Sequence, residues 1–537
     1  MRFKPISGIV IFAIFAICNT VLSAPGDTLR SIPAPFKCPQ GLTFDGEYLW
    51  NADRNSDLMY KINTGDGTVL DSLPTPGYVP RGLTWDGGRI WCVDAEEELI
   101  YAVNPATKIV ERTIYCPVSR PTGMAWDGEH LWLAADRSEE LHKISSEDGT
   151  TIVSIPAPTP HAWGLAFDGT YLWVSDRYKD KIYMVTPENG DVIFSFDAPG
   201  PHSCGLAWDG SKLWNVDYQT DRIYELVVND NTPYSRSEEK VQQVEFFHQT
   251  RNFGPDTVKT LDVYLAVPQD LANQELLQPA TFEPEPTNML TDKWGQLVAH
   301  FHFENLAPAE FASVRMFSSA KLYETRYFVF PEKVGSLNDI PGDIRERYLV
   351  DDAKISLDND IIQKGIKEAL DGETNPYWVA RKIFNYVIDH MEYELAGGWN
   401  VAPAVLERGN GSCSEYSFVY IAMCRAAGLP ARYAGSIVVR NDDASYDDVF
   451  HRWVEVYLPG YGWLPVDPSG GDQKWPADRA NYFGFLGNRF LITTVGGGGS
   501  EYLEWGYNAN ERYTSAGKCK VVVENFGEWS PLGLPEE

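Results

Sequence analysis

Three residues that are far apart in the sequence have the types that a cysteine-dependent enzyme needs. Cys413 follows a Gly-Ser pair and opens a stretch with helical spacing of apolar residues, so we expect it at a helix N-terminus. The unpaired amides and the dipole of a helix N-terminus favour a thiolate. His451 and Asp467 lie in two alternating stretches, 449–458 and 461–467, which read as adjacent strands. The three residues predict a nucleophile, a base and a carboxylate that orients the base.

The turn between the two strands predicts how the base and the carboxylate meet. If the hairpin is centred near Pro459, His451 and Asp467 are each eight residues from the centre and lie opposite one another. Cys424, in the middle of the predicted Cys413 helix, has no such surroundings and is expected to be a buried thiol. Glu415 is expected to support the helix start rather than to take part in the chemistry.

A second helix is predicted just upstream in the chain. Thr374 or Asn375 is its expected N-cap, Pro376 lies in its first turn, and apolar residues follow at helical spacing. This amphipathic helix is expected to pack against the core.

Weaker candidates surround this site. Trp453 and Trp463 lie on the two strands and are expected as wall or core residues, with substrate contact as the less favoured interpretation. The acidic stretch NDDASYDD, residues 441–448, carries oxygen ligands suited to calcium but lacks a calcium-loop pattern. A solvated mobile loop is the favoured interpretation. No cofactor is expected, with calcium kept as an open alternative.

Three separated motifs resemble the transglutaminase-like superfamily. They are GNGSCSEYSFVYIAMCRAAGLPARYAGS from residue 409, HRWVEVYLPGYGW from residue 451 and PVDPS from residue 465. They match a Gly-x-Cys helix start, a His-x-Trp-x-Glu strand and an Asp-Pro strand end, over roughly residues 345–495. The resemblance implies a papain-like α+β fold with catalytic Cys413, His451 and Asp467. The family includes crosslinkers, deamidases, peptidases and inactive members, so the resemblance leaves the reaction open.

The first part of the chain is a repeat array. Five copies of a Gly-x-x-aromatic-Asp-Gly pattern recur every 41 residues, each followed by a Trp, and they start at Gly41, Gly82, Gly123, Gly164 and Gly205. Four short strands fit in each unit, with Asp-Gly as a hairpin turn. Such a period is typical of a β-propeller. The N-terminal strand around Ser31 falls one period before Ser72, so we predict five blades over residues 25–232, with this strand completing the fifth.

The propeller offers weak binding candidates. The repeated Trp and Asp-Gly positions are explained by packing and turns. Arg81, Arg120, His161 and His202 differ between copies and precede the repeated glycines, where first strands enter the central channel. A polar, water-filled channel mouth is favoured over a ligand site. We expect the propeller to be a recognition module for a protein or cell-envelope partner.

The middle segment, residues 238–341, reads as a β-sandwich. His248, His300 and His302 lie on its strands, and no Cys or carboxylate at ligand spacing accompanies the last two, so no metal site is expected. After Asp472, the stretches RFLITTVGGGGSEYLEW and GKCKVVVENF are predicted to be further strands that finish the catalytic domain or cap its sheet, and residues 496–537 are taken as a C-terminal β extension. The chain as a whole is thus predicted to be multidomain, with propeller, sandwich and papain-type α+β domain in that order.

The N-terminus and the charge limit the setting. Residues 1–23 have the charged, apolar and small-residue order of a secretory signal, which predicts a secreted or periplasmic protein. A formal net charge of −30 argues against nucleic-acid binding, and no later stretch is long and apolar enough for a membrane span. Seven cysteines follow Ser23, and their spacing does not define a disulfide pattern.

The favoured function is a secreted thiol-dependent acyl-transfer enzyme that acts on protein or peptide amides. Peptidase, amidase and transglutaminase-like reactions all fit the three residues. The alternative is an inactive transglutaminase-like scaffold or binding protein. A third reading makes the propeller the active part, as a lyase or cyclotransferase, but its repeats contain no acid–base or metal-ligand cluster.

Overall fold

A computed structural model describes residues 23–229, 232–395, 399–442 and 444–532. The predicted signal segment, residues 1–23, lies outside these ranges except for Ser23. The described chain is mostly β-structure, with a propeller, a sandwich and an α+β domain. Within the described ranges, no helix has the length and apolar character needed to cross a membrane.

The propeller consists of five four-stranded antiparallel sheets, which confirms the predicted fold class. The first four sheets each take four consecutive strands, and the fifth takes its outermost strand from the N-terminus. The strands, sheet by sheet, are Pro39–Phe44, Leu49–Asp53, Leu58–Ile62 and Val69–Pro74; Pro80–Trp85, Ile90–Asp94, Leu99–Asn104 and Ile109–Tyr115; Pro121–Trp126, Leu131–Ala135, Glu140–Ile144 and Thr151–Pro156; Ala162–Phe167, Leu172–Asp176, Lys181–Val185 and Val192–Asp197; and Ser203–Trp208, Leu213–Asp217, Arg222–Leu226 and Thr28–Pro33.

The repeated glycines let the innermost strands of neighbouring blades approach one another. A Cβ atom at Gly82 would lie 2.6 Å from the Met124 backbone nitrogen, and one at Gly205 would lie 2.5 Å from the Gln40 carbonyl oxygen. Both distances are far below a van der Waals contact, so a side chain does not fit. The Gly205 contact joins the fifth blade to the first and brings the ring of blades back to its start.

The repeated Asp and Trp residues fasten each blade internally. In every copy the aspartate of the Asp-Gly turn accepts a hydrogen bond from the indole N–H five residues later, at 2.8 to 3.1 Å. The pairs are Asp45–Trp50, Asp86–Trp91, Asp127–Trp132, Asp168–Trp173 and Asp209–Trp214. The tryptophans are almost fully buried. The repeat therefore encodes packing and turn geometry, as the sequence predicts.

The sandwich packs two sheets over an apolar core that includes Phe246, Met316, Val263 and Phe301. One sheet is built around Tyr234–Pro255, which pairs with Phe311–Tyr327 and Cys519–Pro531 and is extended by shorter strands. The shorter strands are Gln274–Leu276, Thr281–Glu283, Tyr446–Asp447 and Phe485–Leu486. The other sheet has the order Asn288–Thr291, Leu297–Leu306, Val258–Ala266 and Ala509–Ser515.

Two expectations about the sandwich were wrong. Of the strands expected to finish or cap the catalytic sheet, Phe490–Gly496 does so, but the C-terminal strands Ala509–Ser515 and Cys519–Pro531 pair instead with Val258–Ala266 and Tyr234–Pro255 of the sandwich. The expectation that no carboxylate accompanies His300 and His302 was also wrong, because Asp262 lies directly opposite His302 on the neighbouring strand. Cross-strand pairing made both contacts, and sequence spacing along one strand does not reveal it.

The α+β domain surrounds the buried helix Cys413–Ala426 with further helices and a four-stranded antiparallel sheet. Its α-helices are Gly342–Tyr348, Asp360–Leu370, Pro376–His390, Ala402–Arg408, Cys413–Ala426 and Pro476–Arg479, with short 3₁₀ turns at Pro331–Lys333, Leu337–Asp339 and Ala480–Tyr482. The sheet order is Gly462–Val466, His451–Leu458, Ala431–Val438 and Phe490–Gly496, and Glu392–Tyr393 pairs separately with Asn410–Gly411. Every side chain from Cys413 to Arg425 is buried.

The propeller and the α+β domain are packed against each other. Phe194 of the fourth blade meets the rings of Phe328 and Phe330, each at 5.3 Å between centroids. Beside them, the buried Asp191 carboxylate accepts a hydrogen bond at 3.3 Å from Arg381, which lies on the helix Pro376–His390. This helix begins at the predicted N-cap Asn375.

Candidate active site

The start of the Cys413 helix is held by a buried carboxylate. Glu415 accepts hydrogen bonds from the backbone N–H groups of Ser412 at 3.1 Å and of Asn400 at 3.0 Å, and it forms an ion pair with Arg408. Gly411 leaves room for the Glu415 side chain to turn back toward Ser412, because a Cβ atom at residue 411 would lie 2.8 Å from the Cβ atom of Glu415. The expected supporting position of Glu415 is thus what the structure shows, and the first amides of the helix remain near Cys413.

Cys413, His451 and Asp467 form a continuous chain of contacts. The imidazole Nε2 atom of His451 lies 2.7 Å from Asp467 Oδ2, and the same imidazole interacts with the Cys413 thiol and lowers its pKa. Because Nε2 faces the carboxylate, Nδ1 is the nitrogen left for the thiol. Ser469 donates its hydroxyl to the other Asp467 oxygen at 2.7 Å, which fixes the carboxylate.

The register of the His451 hairpin differs from the prediction by two residues. Val454 pairs with Val466 and Leu458 pairs with Gly462, so the centre lies at Gly460 rather than Pro459. Gly460 and Gly462 both have positive φ angles, and this three-residue turn shifts the pairing. A shift of two residues keeps every side chain on its face, so Asp467 still reaches His451 from just beyond the end of its strand.

The charges of the three groups stabilise a thiolate and an imidazolium together. Burial by itself raises the pKa of Cys413, but the hydrogen bond from His451, its charge and the Arg452 backbone N–H bring this pKa below its ordinary value. Burial opposes the charge on His451, yet Asp467 and Cys413 raise its pKa to about 10. The pKa of Asp467 is lowered against its burial, chiefly by His451. Cys413 is 6% exposed, so it is buried but retains a small solvent-accessible area.

The residues before His451 set its position. Phe450 has a φ of +60°, a conformation that bulky side chains rarely adopt. The buried Asp447 carboxylate accepts the backbone N–H of Phe450 at 3.0 Å, and Arg440 bridges Asp447 to the Phe450 carbonyl. The acidic stretch 441–448 is therefore not simply a solvated loop, because Tyr446–Asp447 pairs with the sandwich and Asp447 points inward.

The two tryptophan candidates occupy different places. Trp453 is buried and stacks beside His451 at 5.9 Å between centroids, and Phe490 covers the imidazole at 5.6 Å. Trp463 lies toward the turn of the hairpin, where it packs on Tyr348 and Arg432. Trp453 is therefore a wall residue of the site, whereas Trp463 is a packing residue away from it.

Arg452 is a buried arginine beside the site that the sequence did not predict. The Arg452 guanidinium is enclosed by the rings of Tyr507, Tyr433 and Trp399, at 4.4, 4.6 and 4.9 Å from their centroids. Burial raises the pKa of Tyr507, and the charge of Cys413 raises it further, which places the phenol near the thiol. A residue between His451 and Trp453 gives no sequence signal for this role, because its partners come from distant segments.

Tyr393 is a half-exposed residue that interacts with the charges of the site. The short strand Glu392–Tyr393 pairs in parallel with Asn410–Gly411, directly before the helix. The Tyr393 side chain is 52% exposed, and its pKa is raised by partial burial and by the charges of Cys413 and Asp467. Tyr393 therefore stands at the solvent side of the site.

The four residues of the propeller that are candidates for binding a ligand lie within the propeller and not at the Cys413 site. Arg81 hydrogen-bonds Gln40 and lies 5.2 Å over the buried ring of Trp163. These three residues immediately precede repeated glycines of different blades, so their side chains meet at the channel.

The other three candidates are held by carboxylates of the propeller. Arg120 pairs with Asp136 at 2.8 Å, and His161 lies 3.5 Å from the same carboxylate. The backbone N–H of His202 donates to Asp217 at 2.5 Å. The channel mouth is polar, with carboxylates beside Arg120 and His161 and an amide beside Arg81.

The remaining thiols differ from Cys413. All seven cysteines of the described residues are free. Burial raises the pKa of the thiols of Cys38, Cys92, Cys116, Cys204 and Cys424. Among the described cysteines with a shifted pKa, the thiol of Cys413 is the one whose pKa is lowered.

Residues 364–468 match the model of the transglutaminase-like superfamily. The match covers the Cys413 helix, the His451 strand and Asp467. The chain therefore contains a domain of this superfamily, whose members are typically cysteine enzymes. The resemblance inferred from the three motifs is confirmed.

Two bacterial proteins are similar to part of this chain. An uncharacterised protein of Haemophilus influenzae is 30% identical over an alignment of 150 residues that covers 24% of this chain and 40% of that protein. The uncharacterised protein YebA of Bacillus subtilis is 26% identical over an alignment of 148 residues that covers 25% of this chain and 18% of that protein. The chain thus spans less than half the length of either relative.

Solved structures resemble the chain at low scores. A protein of Cytophaga hutchinsonii, assigned provisionally to the cysteine proteases, has a TM-score of 0.38 and 14% identity over 55% of this chain and 99% of its own. The glutaminyl cyclase of Myxococcus xanthus has a TM-score of 0.35 and 14% identity over 38% of this chain and 97% of its own. Likenesses at this level say nothing about activity.

Proposed function

We propose that the protein is a thiol-dependent acyl-transfer enzyme that acts on protein or peptide amides. The observation that carries this proposal is the contact chain from Cys413 through His451 to Asp467, with a thiol pKa below its ordinary value and an imidazole pKa near 10. A nucleophile, the thiolate, and a proton donor, the imidazolium, are thereby present in their reactive forms at neutral pH.

In the first half of the reaction the Cys413 thiolate attacks the amide carbonyl carbon. A C–S bond forms, and the carbonyl oxygen becomes an oxyanion next to the Cys413 backbone N–H, which has no partner within the helix. The His451 imidazolium then donates its proton to the departing nitrogen. The C–N bond breaks, ammonia or an amine leaves, and a thioester remains on Cys413.

In the second half an incoming nucleophile resolves the thioester. Water or a primary amine attacks the thioester carbonyl, and the now neutral imidazole of His451 takes its proton. The C–S bond breaks, and the thiolate and imidazolium return. Asp467 keeps the imidazole oriented and stabilises its positive charge in both halves.

We propose that the propeller contributes to substrate recognition. The segment that follows Asp467 packs on the propeller loops: the Ala477 N–H donates to the Pro158 carbonyl at 3.2 Å, and Lys179 pairs with Asp478 at 2.9 Å. His161 lies three residues after Pro158, in the loop that leads to the channel. The channel mouth and the catalytic carboxylate are thus joined by one short segment, which supports a shared surface for a polymeric partner.

We also propose that the protein works outside the cytoplasm, in a secreted or periplasmic form. This proposal rests on the composition of residues 1–23. The sequence of the mature N-terminus, determined on protein from the native host, tests it, and an intact Met1 would contradict it.

The reaction is tested by following ammonia and new peptide termini with a glutamine-containing protein substrate. The purified wild type and Cys413→Ala are each incubated with the substrate, with and without a fluorescent primary amine. Ammonia or new termini that depend on Cys413 support acyl transfer, and incorporation of the amine identifies it as the acceptor. Equal signals from wild type and Cys413→Ala, or no turnover of amides by a folded wild type, would favour the inactive scaffold instead.

A further inference from the structure

A cluster of three metal-binding side chains lies on the sandwich, in a different part of the molecule from Cys413. Asp262, His300 and His302 each offer one ligand atom, and these atoms all lie within 4.8 Å of one another. His300 Nε2 and His302 Nδ1 both lie 2.8 Å from the same Asp262 Oδ1. We infer that this cluster is a binding site for one divalent transition-metal ion, with Zn²⁺ as the ion that suits its ligands best.

The sheet itself brings the three ligands together. His300 and His302 are two residues apart on one strand, so their side chains lie on the same face. Asp262 is directly opposite His302 on the neighbouring antiparallel strand. Two imidazoles and one carboxylate form a donor set that zinc accepts with bond lengths of about 2.0–2.2 Å. The three ligand atoms lie within 4.8 Å of one another, a separation suited to a single ion.

Each imidazole has a polar partner at the nitrogen that faces away from the cluster. His302 Nε2 lies 3.6 Å from the Glu304 carboxylate, and His300 Nδ1 lies 3.3 Å from the Asn288 side-chain amide. Metal-bound histidines commonly donate their second N–H to such oxygen acceptors, which fixes the ring and its tautomer. The Asn288 amide can present its oxygen to His300 by a flip of its side chain.

The surroundings favour a rigid site with one open side. Tyr264 stacks on His300 at 4.8 Å with an interplanar angle of 14°, which restricts the ring. The side chains of His300, Asp262 and His302 are 15%, 29% and 35% exposed, so an ion can enter from solvent. Arg512 lies opposite Asp262 on the other neighbouring strand, but its guanidinium pairs with Glu504. Three protein ligands leave one coordination position for water or for a group from a partner.

Direct titration of the full chain tests the site. Chelator-treated Cys413→Ala protein is titrated with Zn²⁺ against a chromophoric chelator, and separately with Co²⁺ while visible spectra are recorded. The Cys413→Ala background removes the catalytic thiol as a competing ligand. We expect one equivalent of metal per chain and a Co²⁺ spectrum without thiolate charge-transfer bands.

Matched variants assign the ligands. His300→Gln and His302→Gln should abolish stoichiometric binding, and Glu304→Gln should weaken it by about 10- to 100-fold. His130→Gln is the control, because His130 also lies near two carboxylates but has no second histidine beside it. Thermal unfolding of the metal-free variants checks that the fold is retained. Glu304 is mostly exposed, so its variant keeps the test decisive if a ligand variant fails to fold.

Three results would overturn the assignment. They are less than one equivalent of metal in the parent, undiminished binding in folded His302→Gln or Glu304→Gln, or a thiolate charge-transfer band that places the ion on a cysteine. The first would leave a hydrogen-bonded Asp–His cluster without a metal. None of these results depends on the proposed reaction at Cys413.

Discussion

The propeller and the transglutaminase-like domain both contain aspartates and cysteines with defined partners. In the propeller these residues serve packing, whereas in the transglutaminase-like domain they form a chain of reactive groups. Each propeller blade has a buried Trp hydrogen-bonded to a turn aspartate, and this pair recurs five times. In the transglutaminase-like domain one aspartate instead holds one histidine, which contacts one cysteine. The cysteines follow the same division, because burial raises the thiol pKa of Cys204 in the propeller whereas His451 lowers that of Cys413.

This difference distinguishes the residues that serve packing from the residues that can serve chemistry. A residue that repeats with the blade is explained by what every blade needs, such as a turn or a buried ring. Cys413, His451 and Asp467 occur once and come from a helix, a strand and a strand end, so no local structural need explains why they meet. A change to a repeated residue should therefore act on stability, and a change to one of these three should act on rate.

The largest effect is expected from removal of the nucleophile. Cys413→Ala should lower amide turnover by at least about 10⁴-fold, because no other group in the contact chain can form the thioester. Cys204→Ala is the matched control from the propeller and should keep the wild-type turnover per folded molecule. Steady-state rates and circular dichroism of both variants check this, and similar losses in the two would erase the distinction between the regions.

The second-largest effect on turnover is expected from a change to the Asp467 carboxylate. Asp467→Asn should lower turnover by about 10²- to 10⁴-fold, because an amide neither stabilises the imidazolium nor selects its tautomer. The wild-type alkaline limit should lie near the His451 pKa of about 10, where the proton donor is lost as pH rises. This limit should move to lower pH in Asp467→Asn. A pH–rate profile measures both, with the blade variant Asp209→Asn as the control that should change neither.

The contact between the two regions is expected to matter for stability. Asp191→Ala leaves Arg381 buried without its carboxylate and should cost about 3–5 kcal/mol of unfolding free energy. Glu139→Ala removes an exposed ion pair with Lys474 across the same interface and should cost less than about 1 kcal/mol. Chemical denaturation of the two variants tests this, and equal losses would mean that the buried pair has no special part in docking.

A smaller loss of stability than that of Asp191→Ala is expected inside one blade. Asp45→Ala removes the acceptor of the Trp50 indole N–H and of two turn amides, and should destabilise the protein by about 1–3 kcal/mol. Turnover per folded molecule should not change. Thermal unfolding and active-site titration measure the two quantities separately, and a drop in the rate of the folded fraction would show that the blade takes part in the reaction.

Local pattern was sufficient to predict most of the architecture. The 41-residue period predicted five blades and the N-terminal strand that completes the fifth, since each copy repeats the same turn and packing residues. A cap at Thr374 or Asn375 and a Gly-Ser-Cys start predicted the beginnings of two helices of the α+β domain, because the residues that begin a helix act locally. The Cys413–His451–Asp467 contact followed from a helix N-terminus and a hairpin, and a two-residue error in register left the side chains on the correct face.

Contacts between distant segments were the part that the sequence did not reveal. The C-terminal strands return to the sandwich, Asp262 meets two histidines across a strand pair, and Arg452 is enclosed by rings from separate segments. None of these arrangements has a fixed spacing along the chain. The positive φ angle of Phe450 also had no sequence signal, because the groups that hold it lie elsewhere: Asp447 accepts the Phe450 N–H and Arg440 donates to the Phe450 carbonyl.

The reactivity of the Cys413 thiol tests the catalytic contact chain most directly. Wild type and His451→Ala are alkylated with iodoacetamide across pH, and peptide mass spectrometry follows Cys413 with buried Cys424 as the internal reference. We expect Cys413 to react well below the ordinary thiol pKa of about 8.5, and its reaction to move to higher pH without His451. Labelling of Cys413 that is no faster than that of Cys424, or that is unchanged by His451→Ala, would contradict an assembled thiolate–imidazolium pair.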